Sequence, residues 1–95
     1  SEKKVIFCFN DLMAAGVFDY LSENKIEIGK EVSVAGFDNR EICQFLIPPL
    51  TTMEIPLLET GKKSAELLYN KISGTEQTSE KVFIPCRLVK RKSVK

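Results

Sequence analysis

The fold is decided by the stretch Val5-Ile6-Phe7-Cys8-Phe9-Asn10-Asp11, close to the start of the chain. Val5 to Phe9 are all apolar, with β-branched and aromatic side chains, which predicts a strand buried on both faces of a parallel sheet. Asn10 and Asp11 then mark the start of a helix. The stretch therefore predicts a β-α unit with polar side chains at the carboxyl end of the strand.

The next segment predicts an amphipathic helix. Asn24, which tolerates the left-handed C-cap conformation, marks its predicted end. Its predicted buried stripe consists of residues at spacings of three and four: Met13, Val17, Tyr20 and Leu21.

A second strand is predicted over Val32 to Phe37, where β-branched and small residues alternate, and it stops at Asp38 and Asn39. Two parallel strands joined by a helix form a right-handed crossover. The polar clusters that follow the two strands then emerge at the same sheet edge, where open α/β folds bind small ligands.

The remainder of the chain predicts shorter elements. Arg40 to Leu46 predicts a short helix that ends before Pro48, and Leu50 to Glu54 predicts an extended segment. A second long helix is predicted between Pro56 and Gly74. Its predicted buried stripe is Leu57, Gly61, Ala65, Leu68 and Ile72.

The C-terminal part begins with a predicted polar loop over Thr75 to Glu80. Val82 to Ile84 and Leu88 to Val89 flank Pro85, so they predict either two short strands or one interrupted edge strand. The basic cluster Lys90-Arg91-Lys92 is interpreted as a solvated run of charge.

The 95 residues carry a formal net charge of +1, with 43% hydrophobic and 28% charged residues. This composition is typical of one globular domain and excludes both disorder and the basic excess of a nucleic-acid binder. The longest apolar run, Val5 to Phe9, is far shorter than the roughly 20 residues that cross a bilayer. We therefore expect a soluble, cytoplasmic protein with no membrane partner.

Histidine is absent, and the three cysteines Cys8, Cys43 and Cys86 form no CxxC pair. A zinc site is therefore excluded, and a nucleophilic thiol would lack a histidine base. The glycine spacing matches neither a phosphate-binding loop nor a dinucleotide fingerprint. We expect no metal, no cofactor and no enzymatic activity.

The two strand-end clusters carry the chemistry of a binding site. Asn10 offers a donor and an acceptor, and an ionised Asp38 accepts two hydroxyl donors, which suits a sugar or a base with ring N–H groups. The alternative is that these residues cap helices or form Asx turns. For Phe18, Phe45 and Leu46 the apolar pattern leaves core and interface positions open.

Four motifs, in order along the chain, resemble the lactose-repressor (LacI/GalR) family of bacterial transcription regulators. Phe9 to Gly16 is similar to the family's N-D-x-M-A-x-G motif, and Val32 to Asn39 to its D-V-S-V-x-G-F/Y-D-[DN] strand end. Pro48 to Thr52 is similar to P-P-L-T-T, and Leu88 to Ser93 to L-V-x-R-x-S. Together the motifs span nearly the whole chain, which makes the resemblance specific.

The resemblance implies the C-terminal portion of an effector-binding domain. The implied fold is α/β, a three-layer sandwich around a parallel sheet of periplasmic-binding-protein-like type I, incomplete in this chain, with the ligand in a cleft between two lobes. In the family, the residues that match Asn10 and Asp38 commonly hydrogen-bond the effector, and the residue that matches Leu57 can line the pocket. Asp11 and Asn39 are then expected to be structural.

The resemblance also implies a homodimer and a hinge between the lobes. The implied interface residues are Ala15, Phe18, Phe45 and Leu46. The implied hinge residues are Thr51, Thr52 and Met53. Residues 1–49 are assigned to the βαβ part of the C-terminal lobe, 50–54 to the hinge strand, 55–74 to a helix of the N-terminal lobe, and 75–95 to a loop and closing strands.

We therefore predict the effector-sensing and dimerisation portion of a DNA-binding repressor or related regulator that responds to a sugar or another small molecule. Operator DNA is expected to be bound only through an N-terminal domain absent from this chain. The alternative is an extracytoplasmic sugar-binding transport protein of the same fold, against which the three unpaired cysteines and the motif at Leu88 to Ser93 argue. The identity of the effector and the operator stay open.

Overall fold

The computed structural model describes residues 3–74 and 81–95. The strands are β1 (Lys4–Phe7), β2 (Val32–Ala35), β3 (Thr52–Glu54) and β4 (Arg87–Val89). The helices are α1 (Asp11–Glu23), α2 (Leu57–Ile72) and a short 3-10 helix (Glu41–Gln44). Residues 1–54 and 87–95 form one compact unit, called unit 1, and residues 55–86 form a second, called unit 2.

The strands of unit 1 confirm the predicted parallel β-α-β arrangement. β1 and β2 pair in parallel from Lys4 opposite Val32 to Phe7 opposite Ala35. β3 and β4 pair in antiparallel fashion. Isolated parallel bridges from Ala35 to Thr51 and from Asp38 to Glu54 join the end of β2 to β3. Unit 1 therefore has the strand order β1, β2, β3, β4.

The core of unit 1 lies between α1 and the sheet. Its buried members are Cys8, Ala14, Phe18, Leu21, Val32, Val34, Cys43 and Leu50. The stripe predicted for α1 was wrong at Met13 and Tyr20, which are 56% and 64% exposed. The observed buried face starts from the polar residue Asp11 and continues at spacings of three, four and three: Ala14, Phe18 and Leu21.

The position at which α1 ends agrees with the prediction, but the residue in the left-handed conformation does not. Asn24 is the C-cap residue but has a φ of −94°, and its side-chain amide donates to the Tyr20 carbonyl at 2.8 Å. Lys25 takes the left-handed conformation, with a φ of 57°. The helix therefore ends where expected, with the positive φ one residue later.

β1 is not buried on both faces, contrary to the prediction. The strand ends at Phe7, and Val5 and Phe7 are 63% and 67% exposed. Within the described residues β1 pairs only with β2, so its other edge and much of its surface have no covering layer. An apolar run predicts where a strand forms but not which neighbours cover it.

α2 has the predicted limits but not the predicted buried stripe. Pro56 is its N-cap residue, and Gly74, with a φ of 75°, follows its end. None of its residues is buried against the rest of the described chain, because no other described helix or strand belongs to unit 2. The predicted buried stripe of α2 is therefore wrong. Its members are all exposed: Leu57, Gly61, Ala65, Leu68 and Ile72.

The C-terminal segments settle the open strand prediction. Leu88 and Val89 lie in β4, whereas Val82 to Ile84 have no regular secondary structure. The predicted polar loop at positions 75–80 lies outside the described residues.

Replacing Gly36 with alanine is expected to lower the free energy of unfolding by about 2 kcal/mol or more. A Cβ atom at Gly36 would lie 2.4 Å from Asp11 Oδ1 and 2.9 Å from Leu50 Cδ2, and both side chains are buried. Gly16→Ala in α1 is the matched control, because a Cβ there has no heavy atom within 4 Å. It should raise stability by up to about 1 kcal/mol. Equal effects of the two substitutions in chemical denaturation would contradict this packing.

Candidate functional site

The carboxyl ends of β1 and β2 lie side by side and bring the two polar clusters together. The Asp11 N–H donates to the Phe37 carbonyl at 3.2 Å, which joins the two strand ends directly. Asn10 is the N-cap of α1, and its Oδ1 accepts a hydrogen bond from the Met13 N–H at 2.9 Å. The capping alternative for Asn10 is therefore confirmed. Its amide group stays partly exposed, so capping leaves the Nδ2 donor for another partner.

The Asp11 side chain is completely buried and organises the residues around the two strand ends. Its Oδ2 accepts from the Arg40 N–H at 2.6 Å, and its Oδ1 accepts from the Thr52 hydroxyl at 2.7 Å. The buried Cys43 thiol lies near this carboxylate. The two hydrogen-bond donors compensate a buried charge that would otherwise be costly. The expected structural role of Asp11 agrees with these contacts.

The Cys43 thiol is neutral. Burial, together with the nearby Asp11 carboxylate, raises the pKa of Cys43 from 9.0 to about 12. Burial also raises the pKa of Cys8. Both thiols are thus kept in the unreactive form near neutral pH, as expected for small buried side chains.

The turn after β2 has an unusual backbone. Asp38 and Asn39 have φ angles of 113° and 59°, which side-chain-bearing residues seldom adopt. The Asp38 N–H donates to the Met53 carbonyl at 2.9 Å, and the Asn39 N–H donates to Thr52 Oγ1 at 3.3 Å. Strained residues of this kind persist only where the surroundings hold them, and they cluster at functional sites.

The Asp38 carboxylate is the accessible charged group of this turn. Its side chain is 34% exposed, and Arg40 Nε lies 4.0 Å from its Oδ2. At that distance the pair is loose, so most of the carboxylate's acceptor capacity is free for hydroxyl or N–H donors of a ligand. The site can therefore bind polar groups through Asp38 and Asn10, and it offers no nucleophile.

The residues implied for a dimer interface lie in different environments. Phe18 is 5% exposed and belongs to the core, so the structure corrects its assignment to an interface: it continues the buried face of α1 that Asp11 begins. Ala15 is half-buried, and Leu46 packs partly against the core. Phe45 is 71% exposed.

The implied hinge residues belong to unit 1. Thr51 and Thr52 are buried, and Met53 lies in β3. Leu57, the remaining implied pocket residue, is the first residue of α2 in unit 2 and is 70% exposed.

The sequence reasoning missed two residues that bond to the strand ends and the turn, Ser93 and Arg91. Ser93 is completely buried, donates from its hydroxyl to the Val34 carbonyl at 2.6 Å and accepts from the Thr51 N–H at 2.8 Å. Arg91 was wrongly interpreted as part of a solvated charge run, because it donates from Nη2 to Asn39 Oδ1 at 2.9 Å. The motif over Leu88 to Ser93 could have indicated both residues, because its arginine and its serine are its fixed polar positions.

The family is shown by the match of residues 4–94 to the model of the periplasmic binding protein-like domain. The chain belongs to this family. It is 38% identical over 90 residues to the HTH-type transcriptional repressor PurR of Vibrio parahaemolyticus, covering 95% of this chain and 27% of that protein. The chain thus spans about a quarter of the length of such curated relatives.

Two solved structures are similar in both sequence and fold. The first is a LacI family transcriptional regulator from Enterococcus faecium with bound ribose, at 35% identity and a TM-score of 0.83, with 96% of this chain and 34% of that chain covered. The second is the lac repressor dimer bound to operator and the anti-inducer ONPF, at 31% identity and a TM-score of 0.87, with coverage of 96% and 32%. The resemblance of this chain to the LacI/GalR family is therefore confirmed, and the chain matches about a quarter to a third of the proteins of that family to which it is similar. No described helix is long and apolar enough to span a membrane.

In the native protein at pH 8, a thiol reagent is expected to label Cys86 at least about 100-fold faster than Cys8 or Cys43. Cys86 is exposed, whereas the other two thiols are buried and have raised pKa values. Peptide mapping by mass spectrometry measures each rate, and denatured protein, in which all three should react, is the control. Equal labelling of Cys43 and Cys86 before unfolding would contradict the burial of Cys43.

Proposed function

We propose that this chain is the effector-sensing and dimerisation part of a bacterial DNA-binding transcriptional regulator, and that its effector is a sugar or a sugar-like small molecule. The observation that carries the proposal is the placement of Asn10 and Asp38 at adjacent strand ends, each with polar atoms accessible to a ligand. A carboxylate beside an amide suits a ring that bears several hydroxyl groups. The ribose bound by the similar Enterococcus faecium regulator supports this ligand class.

In the intact protein, ligand binding shifts the equilibrium between two arrangements of the effector-binding domain, and a DNA-binding domain elsewhere in the protein contacts the operator. A ligand shifts such an equilibrium only by its difference in affinity for the two states. The protein acts in the cytoplasm, where its DNA is, and has no catalytic role. The similarity to the HTH-type transcriptional repressor PurR favours this function over the transport-protein alternative.

The lobe assignment is part of the proposal. Residues 1–49 form part of the C-terminal lobe, 50–54 are the hinge strand with Thr51, Thr52 and Met53, and 55–74 carry a helix of the N-terminal lobe. The closing strand is β4, at Arg87–Val89. The chain passes from unit 1 to unit 2 after Glu54 and returns before Arg87, which supports a crossing at the end of β3. The role of Leu57, the first residue of α2, as a pocket residue stays a prediction.

A homodimer completes the proposal, with Ala15, Phe45 and Leu46 at its interface. Phe45 supports this because it presents an aromatic side chain that is 71% exposed beside the partly buried Leu46. Large exposed aromatic residues are typical of interfaces. The similar lac repressor structure is a dimer. Sedimentation velocity of the intact protein tests this part of the proposal.

Replacing Asp38 with asparagine should weaken the binding of D-ribose to the intact protein by about 30-fold or more, because a charge-assisted acceptor is lost. Asparagine suits this test because it tolerates positive φ better than alanine does, and φ is 113° at Asp38. Isothermal titration calorimetry measures the dissociation constant.

The matched control for this experiment is Asp19→Asn, an exposed aspartate on α1, which should leave the affinity unchanged. Lactose and cellobiose extend the test if D-ribose does not bind. Wild-type affinity in Asp38→Asn would remove Asp38 from the site, and no binding of any of these sugars would contradict the proposed ligand class.

A further inference from the structure

Arg91 connects the turn that carries Asp38 to the strands of unit 1. Its Nη2 donates to Asn39 Oδ1 and its Nη1 donates to the Leu50 carbonyl, both at 2.9 Å. Its backbone N–H donates to Thr51 Oγ1 at 2.8 Å. The planar guanidinium therefore bridges the turn after β2 and the residues that lead into β3, a double contact that a lysine ammonium could not reproduce in the same geometry.

Asn39 is the partner that allows this bridge. Its φ of 59° places it in the left-handed region, where asparagine is better tolerated than most residues. Its N–H is bonded to Thr52 Oγ1 and its side-chain oxygen to Arg91, so both its backbone and its side chain are held. The preceding Asp38, with a φ of 113°, cannot relax without breaking one of these contacts or its own bond to Met53.

We propose that Asn39 and Arg91 are positioning residues for the effector, because their hydrogen bond holds Asp38 in its strained conformation and links that conformation to β3 and β4. This inference rests on the proposed function of Asp38. The hydrogen bond that sets the acceptor geometry joins two residues 52 positions apart in the sequence, and their side chains do not touch the ligand.

The other two hydrogen bonds of Arg91 join it to residues that precede β3. Arg91 follows β4, and its partners Leu50 and Thr51 precede β3, so the turn is bonded to both strands that lead toward unit 2. An ion pair between Glu54 and Arg87 lies at the far end of the same two strands.

The first test measures amide hydrogen exchange at residues 38–40 of the intact protein without ligand. All three N–H groups are hydrogen-bonded, to Met53, Thr52 and Asp11 respectively. Asn39→Gly keeps the positive φ but removes the contact with Arg91, and exchange at these amides should accelerate about tenfold. Asn39→Asp retains the acceptor for Arg91 and should stay within about twofold of the wild type.

The second test measures D-ribose affinity and thermal stability for the same variants, with Asn24→Gly as the matched control. The Asn24 side-chain amide donates an exposed hydrogen bond to the Tyr20 carbonyl at the end of α1, and glycine loses that bond without reaching the site. Asn39→Gly and Arg91→Lys should weaken D-ribose binding about tenfold, whereas Asn39→Asp and Asn24→Gly should not.

Unchanged exchange in Asn39→Gly would overturn the inference, and so would equal losses of affinity in Asn39→Gly and Asn24→Gly. If the wild type binds no sugar, the proposed function fails. The exchange comparison then still decides whether Asn39 holds the turn, since that readout requires no ligand.

Discussion

The Asp11 carboxylate is buried at the start of α1 and receives hydrogen bonds from the Arg40 N–H and the Thr52 hydroxyl. A buried carboxylate costs several kcal/mol unless donors surround it. The chain therefore has to bring β3 and the turn after β2 to the first turn of α1 before the charge is compensated. Gly36 makes the approach possible, because any side chain there would overlap with Asp11.

This constraint separates the two members of each polar cluster. Asp11 and Asn39 turn inward and hold the turns together, whereas Asn10 and Asp38 keep polar atoms at the surface of the same sheet edge. In the proposed site, hydrogen bonds hold the backbone that carries the Asp38 acceptor before a ligand arrives. The strain at Asp38 is balanced by contacts with β3 and, through Asn39, with Arg91.

The sequence predicted the parallel β-α-β order because apolar runs, helix caps and prolines are local signals. The sequence predicted the limits of the helices well, but not which residues of α1 face the core. The first of these buried residues is the polar Asp11, which a hydrophobic pattern does not count. The exposure of β1 was missed for another reason: burial depends on which neighbours cover an element.

The candidate site was predicted in part. Asn10 and Asp38 could be chosen from their positions after two strands and from the family motifs. The partners that hold them could not, since Arg91 lies 52 positions from Asn39 and Thr52 lies 41 positions from Asp11. From the sequence, Arg91 could not be distinguished from the other charged residues of the chain. Its hydrogen bond to the turn is visible only in the folded structure.

The most direct test of this account is a double-mutant cycle between Asp11→Ala and Thr52→Val, read as the free energy of unfolding of the intact protein. Each single substitution leaves a buried group without its partner and should cost about 2 kcal/mol or more. The account predicts a coupling energy of about 1 kcal/mol or more, since both substitutions remove the same bond. Strictly additive effects would contradict the claim that Asp11 ties the start of α1 to β3.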